Sequence, residues 1–349
     1  MNVDFFLGAN SGAGFYSLYD EFCCDKGDYL YLIKAGAGGG KSGFMRKVAA
    51  AAAERGYDTE SVLCSGDPAS LDAVYIPKLK IGFMDATAPH AAEPMEFAYN
   101  SDYVNLGEFC ERIYDARIEE YTRRYRQMYK VAYAYLAAAA NLEMADVPEL
   151  ISAEMLEKAR LRAKSAVNRE LGKRNLSGKT GRVKRRFIRC ISCRGELVLN
   201  DSIDKLCKQV YCIDDRYGIE QAYLRQVLEQ AVSLGFDAIV CPSPLCPDRL
   251  DAVLVPERSA AFVRASAADA SAAYRSVRLD EIAARGAPKQ LRHEHKLMKK
   301  HERELLTAAQ QWLARAKQYH DELERVYNPH VDFASLNAFA DEIIEKLFA

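Results

Sequence analysis

A glycine-dense stretch near residue 40 carries the residue types that chemistry on a polyphosphate requires. The apolar run 29–33 predicts a buried strand, the loop 35–40 follows, and the alanine-rich run 44–54 predicts a helix. Glycines let main-chain N–H groups converge on an anion, and the positive end of the new helix faces the same point. The Lys41-Ser42 pair adds a charge for phosphate oxygens and a hydroxyl for Mg²⁺. The stretch therefore predicts a phosphate-binding loop.

Each position of this loop has an expected role. Lys41 is predicted to reach the β- and γ-phosphates, and Ser42 is predicted to ligate Mg²⁺. The pattern G-x-x-x-x-G-K-[ST] has Ala35 at its first position, the mildest replacement for glycine there. The residues expected to hold the phosphates are Gly36, Ala37, Gly38, Gly39, Gly40, Lys41, Ser42 and Gly43.

Acids and a histidine follow two later predicted strands. The strand 79–85 ends at Asp85, which is expected to hold Mg²⁺ directly or through water. The strand 61–64 leads to Asp67, and ligands gather at the carboxyl ends of strands in doubly wound sheets. Asp67 is either a site residue or an ordinary Asp-Pro turn residue. His90 lies in the loop after Asp85 and is a candidate for positioning the γ-phosphate or the attacking water. The catalytic candidates are Lys41, Asp85, Asp67 and His90.

Length and composition limit the class of protein. The chain has 349 residues, 49% of them hydrophobic, and a formal net charge of −1, which predicts about two domains and gives no global attraction to nucleic acid or to an anionic membrane. The chain begins without a basic n-region and contains no apolar run of membrane-spanning length, so a cytoplasmic location is expected. The ten cysteines are expected to be free thiols, and the spacing of Cys241 and Cys246 does not complete a zinc knuckle with Cys190 and Cys193.

The middle of the chain changes to a helical pattern. Apolar and aromatic residues at steps of four and three predict one long helix with a seam at Tyr114, Ile118, Tyr121, Tyr125, Met128, Ala132 and Tyr135. A second helix over 148–171 is expected to pair back on the first as a hairpin. The basic stretch 173–189 is expected to be a solvated linker between domains. Its Gly178-Lys179-Thr180 triplet imitates a phosphate loop, but a predicted helix precedes it instead of a strand.

The second half of the chain repeats the first. The segment 71–77 aligns with 250–256, and Gly56 aligns with Gly235, at one offset of 179 residues (from 56 to 235 and from 77 to 256). A four-three seam recurs over 305–326, and a final helix near 335–348 corresponds to the one after residue 148. The predicted domains are residues 1–180, with a helical hairpin at about 104–172, and residues 181–349, with a hairpin at about 280–349.

The phosphate-binding residues do not survive in the second copy. At the same offset Lys41 falls on Glu220, Ser42 on Gln221 and Asp85 on Arg264. A carboxylate in place of the phosphate-binding lysine repels a nucleotide, so only the first copy is expected to bind one. An arginine of the second copy, Arg216 or Arg264, is a further candidate for acting in trans on the phosphate.

The loop, the repeat and three further segments carry a resemblance. Residues 34–42 resemble a Walker A motif, and the segments 64–68, 71–77 and 85–90 with it resemble a mostly uncharacterised bacterial family of tandem P-loop ATPase-like proteins. The resemblance runs over the whole chain, although the second loop departs from the family pattern. It implies an α/β fold of two P-loop NTPase-like modules, each with three α/β/α layers and an appended helical hairpin. It also implies that ATP is the ligand.

Three functions remain open from the sequence. The first is a Mg²⁺-dependent ATPase in which the N-terminal copy binds nucleotide and Asp67 or His90 positions the water. The second is a small-molecule or nucleotide kinase that uses the same site, with Asp67 on the substrate side. The third is a nucleotide-dependent switch with negligible turnover, which contacts an unidentified protein partner through the helical hairpins. Neither a membrane nor a nucleic acid is expected as a partner, and the sequence does not specify the oligomeric state.

Overall fold

The computed structural model describes residues 1–87, 99–145, 147, 149–172, 178–268 and 273–349. The N-terminal half contains eight strands and three α-helices in this order: β1 (Asn2–Phe5), β2 (Gly8–Ser11), β3 (Gly14–Ser17), β4 (Tyr29–Lys34), α1 (Lys41–Glu54), β5 (Thr59–Leu63), β6 (Leu71–Ile76), β7 (Ile81–Asp85), β8 (Ser101–Asn105), α2 (Arg117–Met144) and α3 (Ala153–Glu170), all within the described residues.

The C-terminal half contains the same elements and two short additional helices. In chain order they are β9 (Val183–Arg185), β10 (Arg189–Ser192), β11 (Gly195–Val198), α4 (Asn200–Leu206), β12 (Gln209–Asp214), α5 (Glu220–Ser233), β13 (Ala238–Pro242), β14 (Leu250–Val255), β15 (Ala260–Arg264), β16 (Arg275–Arg278), α6 (Asp280–Gly286), α7 (Lys289–Tyr327) and α8 (Phe333–Phe348), counted over the described residues.

The two halves form two six-stranded sheets of identical topology. The first has the order β1-β5-β6-β7-β4-β8 and the second the order β9-β13-β14-β15-β12-β16. In each sheet the third strand, β6 or β14, runs antiparallel to both neighbours, whereas the other pairs are parallel. A register shift also recurs at equivalent positions, between Val62 and Leu63 and between Cys241 and Pro242. The predicted α/β class and tandem repeat are therefore confirmed.

The helical pairing differs from the expected hairpins. The second helix of each half leaves its own half: α3 packs on α5, and α8 packs on α1. The long helices α2 and α7 pair with each other instead. Arg124 contacts Tyr319 and Glu143 contacts Lys299, which shows that the two helices run antiparallel. The prediction of a self-paired hairpin in each half is wrong. The apolar faces of α2 and α7 are therefore buried against each other, and those of α3 and α8 against α5 and α1.

Each sheet is covered differently on its two faces. On one face α1 and α8 enclose a core with the first sheet, and α5 and α3 enclose a core with the second. The opposite faces carry the β2–β3 hairpin on the first sheet and α4 on the second, together with apolar residues from the other half such as Phe187 and Phe5. The layer opposite α1 is thus built from a hairpin and the partner half rather than from long helices.

Reciprocal contacts join the halves around an approximate twofold axis. Phe6 and Phe187 donate main-chain hydrogen bonds to each other's carbonyls, both 2.9 Å long. The tip of each hairpin reaches the other half at equivalent points: Gly12 N–H donates to Leu245 O at 3.0 Å, and Cys193 N–H donates to Gly66 O at 3.4 Å. The repeat therefore folds as an internal pseudo-dimer with exchanged helices.

The end of the basic stretch 173–189 is not the solvated linker that was expected, although most of the described residues 178–184 are exposed. Within its described part, Val183–Arg185 form the edge strand β9. Arg186 is 4% exposed and bonds to Glu60 at 2.5 Å, and Arg189 is 6% exposed and bonds to Asp251 at 2.8 Å. These arginines are buried ion-pair partners, which a count of basic residues does not reveal.

The ten cysteines are free thiols, as expected.

Among the described residues no helix combines the length and the apolar character needed to cross a bilayer.

Candidate functional site

The glycine-rich loop lies where two parallel strands end and a helix begins. β4 ends at Lys34 and α1 begins at Lys41, and Asp85, the last residue of β7, pairs in parallel register with Ile33. Gly38 and Gly40 have φ angles of 63° and 77°, in the left-handed region that glycine adopts without a steric penalty. Strand and helix ends therefore place Lys41 and Asp85 at one point on the sheet edge.

The Lys41 side chain lies over the beginning of this loop. Its ammonium group donates to the carbonyls of Ala35 at 3.0 Å and Gly36 at 2.9 Å, and it lies 3.6 Å from the Asp85 carboxylate. The side chains of Lys41 and Asp85 are only 14% and 13% exposed. The ammonium group is thus held in place by two neutral acceptors and one acid, and oxygens of an anion could replace the carbonyls.

Several main-chain N–H groups of the loop lack a hydrogen-bond acceptor among the described residues, which indicates an anion site. In the described chain no group accepts a hydrogen bond from the N–H of Gly38, Gly40, Lys41 or Ser42. The first N–H groups of a helix have no partner within the helix and carry its positive partial charge. A left-handed glycine next to a helix start makes such amides converge. The loop therefore offers several unpaired main-chain donors for an anion.

Ser42 and Asp85 supply the oxygen atoms that a hard cation prefers. Ser42 Oγ accepts from the Leu71 N–H at 2.9 Å, which fixes the hydroxyl against β6. Asp85 Oδ1 accepts from the N–H and the hydroxyl of Thr87, at 2.8 Å and 2.6 Å, and its second oxygen faces Lys41. A hydroxyl and a carboxylate beside a phosphate site are typical Mg²⁺ ligands. The donor chemistry of these two residues fits the metal that the sequence predicts.

Asp67 lies at the same end of the sheet but is paired with other residues. Its carboxylate is 3.3 Å from Lys317 of α7 and 3.5 Å from Arg194, and it accepts from the Ala69 N–H. The described contacts of Asp67 do not include Lys41, Ser42 or Asp85. Its place in catalysis stays a prediction. His90 lies outside the described residues.

The junction between α7 and α8 covers the loop, which the sequence did not predict. The Tyr327 ring is 3.2 Å from where a Cβ at Gly36 would lie, and Leu336 is 2.8 Å from the corresponding position at Gly40. With its amide nitrogen turned to the loop, Asn328 donates to Gly38 O at 3.3 Å. These residues stand nearly 300 positions away in the chain, and no motif marks them. A side chain at Gly36 or Gly40 would therefore press against Tyr327 or Leu336.

The second half keeps the same contacts with the charges reversed. Where Lys41 faces Asp85, Glu220 faces Arg264 at 3.4 Å. Where Ser42 accepts from Leu71, Gln221 Oε1 accepts from the Leu250 N–H at 2.8 Å. The register inferred from the repeat is therefore correct at the atomic level, and the second loop presents a buried carboxylate in place of the phosphate-binding lysine.

Asp215 occupies the amides of the second loop. This loop has five residues between strand and helix, one fewer than the first, and Asp215 is its first residue. Its carboxyl group accepts from Tyr217 N–H at 3.1 Å and from Glu220 N–H at 2.9 Å. Counted back from the start of each helix, these amides correspond to those of Gly38 and Lys41, for which no partner is recorded in the described chain. The second half thus fills its own anion site.

Burial strongly affects the charge of this filled loop. Desolvation, followed by the hydrogen bond and the charge of Glu220, raises the pKa of Asp215 to about 8. The pKa of Glu220 is lowered despite its complete burial, because Asp215 donates to it and Arg264 and Arg249 lie beside it. At neutral pH the pair therefore holds one proton, mainly on Asp215, and one negative charge, on Glu220.

The two arginines considered for action in trans lie at the second loop. Arg264 pairs with Glu143, Glu220 and Asp251, at 3.2, 3.4 and 3.8 Å. Arg216 lines a cavity beside the same loop together with Arg264. The geometry therefore does not favour either arginine as a partner of the first loop.

Comparisons with protein-family models, with curated proteins and with solved structures find no match to this chain.

Proposed function

We propose that the chain binds a nucleoside triphosphate with Mg²⁺ at the first loop and hydrolyses it. The observation that carries this proposal is the contrast between the two loops. The first has free amides beside Lys41, whereas Asp215 takes the equivalent amides of the second. A fold that fills the amides of one loop with its own carboxyl group and leaves the amides of the other unpaired is expected of a protein with one active copy.

The residues at the first loop would bind the phosphates and Mg²⁺ with different groups. Lys41 would exchange the carbonyls of Ala35 and Gly36 for β- and γ-phosphate oxygens, and the loop amides would hold the bridging region. Ser42 and Asp85 would hold Mg²⁺, which supplies charge neutralisation on the phosphate oxygens. Asp67 and His90 remain the candidates for positioning water. ATP is proposed over GTP because of the family resemblance and because the chain lacks an Asn-Lys-x-Asp guanine motif.

A nucleotide-dependent switch is the second candidate, and the loop cover favours it. Tyr327, Asn328 and Leu336 lie directly against the loop that the phosphates would enter. Because these side chains lie against the loop, we expect phosphates bound there to displace the start of α8 from α1. A ligand shifts an equilibrium between two conformations only through its different affinity for them, so the nucleotide would favour the displaced conformation. We expect the partner protein to recognise that conformation.

The test compares ATP, GTP and their diphosphates with Mg²⁺ by thermal shift and by equilibrium binding. Wild type should bind ATP, and Lys41→Ala should weaken binding by at least about 100-fold, because a charge-assisted contact to two phosphates is removed. Lys179→Ala is the matched control. It changes the lysine of the exposed Gly178-Lys179-Thr180 triplet, which imitates the motif, and it should leave binding unchanged.

The same samples separate the three functions. Phosphate release without an acceptor supports an ATPase, and release only with an added metabolite supports the kinase alternative. Tight binding with negligible release, together with faster hydrogen exchange at residues 324–336, supports the switch. Wild-type affinity in Lys41→Ala would refute the assignment of the first loop.

A further inference from the structure

A cavity of about 420 Å³ lies beside the second loop. Its walls come from the loop residues Arg216–Gly218, from α7 at His295 and Lys299, and from the segment before α3 at Leu150. The volume is within the range of about 300–1,000 Å³ that is typical of small-molecule sites. The cavity is the counterpart of the covered first loop, with the end of α2 in the place of the end of α7.

The charges on the cavity wall are mostly paired within the protein. Four basic side chains and two acidic ones line it: Arg216, Arg249, Arg264 and Lys299, with Glu143 and Glu149. Three further carboxylates pair with these cations: Glu220 lies 2.9 Å from Arg249 and 3.4 Å from Arg264, Asp251 lies 3.8 Å from Arg264, and Glu302 lies 2.7 Å from Lys299. The paired charges therefore largely cancel, and attraction of an anion depends on a cation that lacks such a partner.

Most of these cations are already paired, and one is available. Glu143 is shared by Arg264 at 3.2 Å, Arg249 at 3.5 Å and Lys299. Although burial opposes it, these three neighbours lower the pKa of Glu143 to about 2, so this carboxylate stays charged. Arg216 is exposed, and none of the acids in the described chain pairs with it. Arg216 is therefore the cation available to a ligand.

A second part of the wall suits an uncharged body. Leu150, Ile151 and Leu156 contribute apolar surface, and the rings of Tyr217 and His295 pack with their centroids 5.4 Å apart. Burial and the nearby Lys299 lower the pKa of His295, so its ring is neutral at neutral pH. A flat or apolar group could rest against this wall. The carboxyl group of Asp215 on the loop amides leaves no room there for a polyphosphate.

We propose that this cavity binds a small organic phosphate, with its single phosphate group on Arg216 and its ring against Tyr217, His295 and the apolar wall. The site is separate from the first loop and does not depend on the proposed nucleotide hydrolysis. It gives the second half a binding function of its own after the loss of its phosphate-loop lysine.

Calorimetric titration of the full chain tests this inference, with AMP, ribose 5-phosphate and inorganic phosphate as probes. The titrations are made on wild type, Lys41→Ala, Arg216→Ala and Arg126→Ala. Arg126 is an exposed arginine of α2 that does not line the cavity, and it serves as the matched control. AMP should bind, and Arg216→Ala should weaken it by about tenfold or more, as expected for a lost charge-assisted contact. Lys41→Ala and Arg126→Ala should leave the AMP affinity unchanged.

Three results would overturn the proposal. Absence of AMP binding would show that the cavity does not take an organic phosphate of this size. Loss of AMP binding in Lys41→Ala with retention in Arg216→Ala would place the phosphate at the first loop. Equal affinity for AMP and inorganic phosphate would show that the ring wall contributes nothing.

Discussion

Single side chains at the ends of two strands decide which loop can hold an anion. Lys41 and Asp85 form one oppositely charged pair, and Glu220 and Arg264 form the reversed pair at the equivalent position, 3.6 Å and 3.4 Å apart. Both arrangements neutralise a largely buried charge, so both are compatible with the fold. Only the first leaves a cation next to free amides. The second copy therefore keeps the local contacts while it has a carboxylate where the first has a lysine.

The Ser42 hydroxyl has a structural role that can be measured without nucleotide. Its Oγ accepts from the Leu71 N–H at 2.9 Å, so Ser42→Ala leaves that main-chain donor without its acceptor. The free energy of unfolding should fall by about 1 kcal/mol, the usual value of such a hydrogen bond. Urea denaturation of the nucleotide-free protein measures it, with Ser42→Thr as the variant that keeps the hydroxyl. An unchanged midpoint in Ser42→Ala would show that the contact contributes nothing to stability.

Asp215 should make stability depend on pH in the direction opposite to that of an ordinary carboxylate. Its pKa of about 8 in the native state exceeds the usual 3.8. Between these values the native carboxyl group holds a proton that the unfolded chain has released, so the stability contributed by this group falls as pH rises. Asp215→Asn removes the titration and keeps the shape.

Urea midpoints at about pH 5.5 and pH 8 measure this contribution. The fall between the two pH values should be smaller in Asp215→Asn than in wild type, and the exposed Asp248→Asn should behave as wild type. The same pH dependence in wild type and Asp215→Asn would contradict the raised pKa.

At the scale of elements, the loop depends on a helix from the other end of the chain. α8 packs on α1 and brings Leu336 onto Gly40, while the end of α7 brings Tyr327 onto Gly36. Leu336 is 3% exposed, and burying a leucine contributes about 1.5–3 kcal/mol. The cover is therefore part of the core, and opening it for a ligand carries a cost.

Gly40→Ala should destabilise the protein for two separable reasons. The φ angle of 77° is strained for alanine, and the new Cβ would lie 2.8 Å from Leu336. A loss of about 2 kcal/mol or more is expected in urea denaturation. Leu336→Ala in the same chain should relieve the clash and leave the φ strain, so the two substitutions should cost less together than the sum of their separate effects. Strict additivity would contradict the predicted contact.

At the scale of the whole molecule, the repeat folds as one unit with exchanged parts. α3 completes the core of the second sheet, α8 completes that of the first, and α2 pairs with α7. Phe6 and Phe187 exchange hydrogen bonds where the halves meet. A chain cut between the halves would leave each sheet without one of its covering helices.

Residues 1–180 and 181–349 should therefore fold only together. Each fragment alone would expose the apolar face that α8 or α3 covers, and aggregation is expected. Coexpressed, the fragments should elute from size-exclusion chromatography as one 1:1 complex with the α-helical circular dichroism of the intact chain. Two independently monodisperse, cooperatively unfolding fragments would show that the exchanged helices are dispensable.

The sequence by itself determined the local features of this protein. The strand before the glycine-rich loop, the helix after it, the strand that ends at Asp85 and the repeat register all follow from short-range patterns and from the types of residue at fixed spacing. Glu220 opposite Arg264 could be read by counting alone. These features lie within a few residues of one another or follow from an exact offset, so the one-dimensional chain contains them.

The tertiary structure alone decided which parts meet across the chain. The seams of α2 and α7 are compatible with any helical partner. In the folded protein α2 pairs with α7, instead of α2 with α3 and α7 with α8, because this pairing buries their apolar faces. The same choice placed Tyr327 and Leu336 on the first loop and left Arg216 beside a cavity. Apolar contacts are non-directional, so a local sequence pattern does not specify which apolar faces will meet. The pairs of faces are fixed only when the whole core is packed.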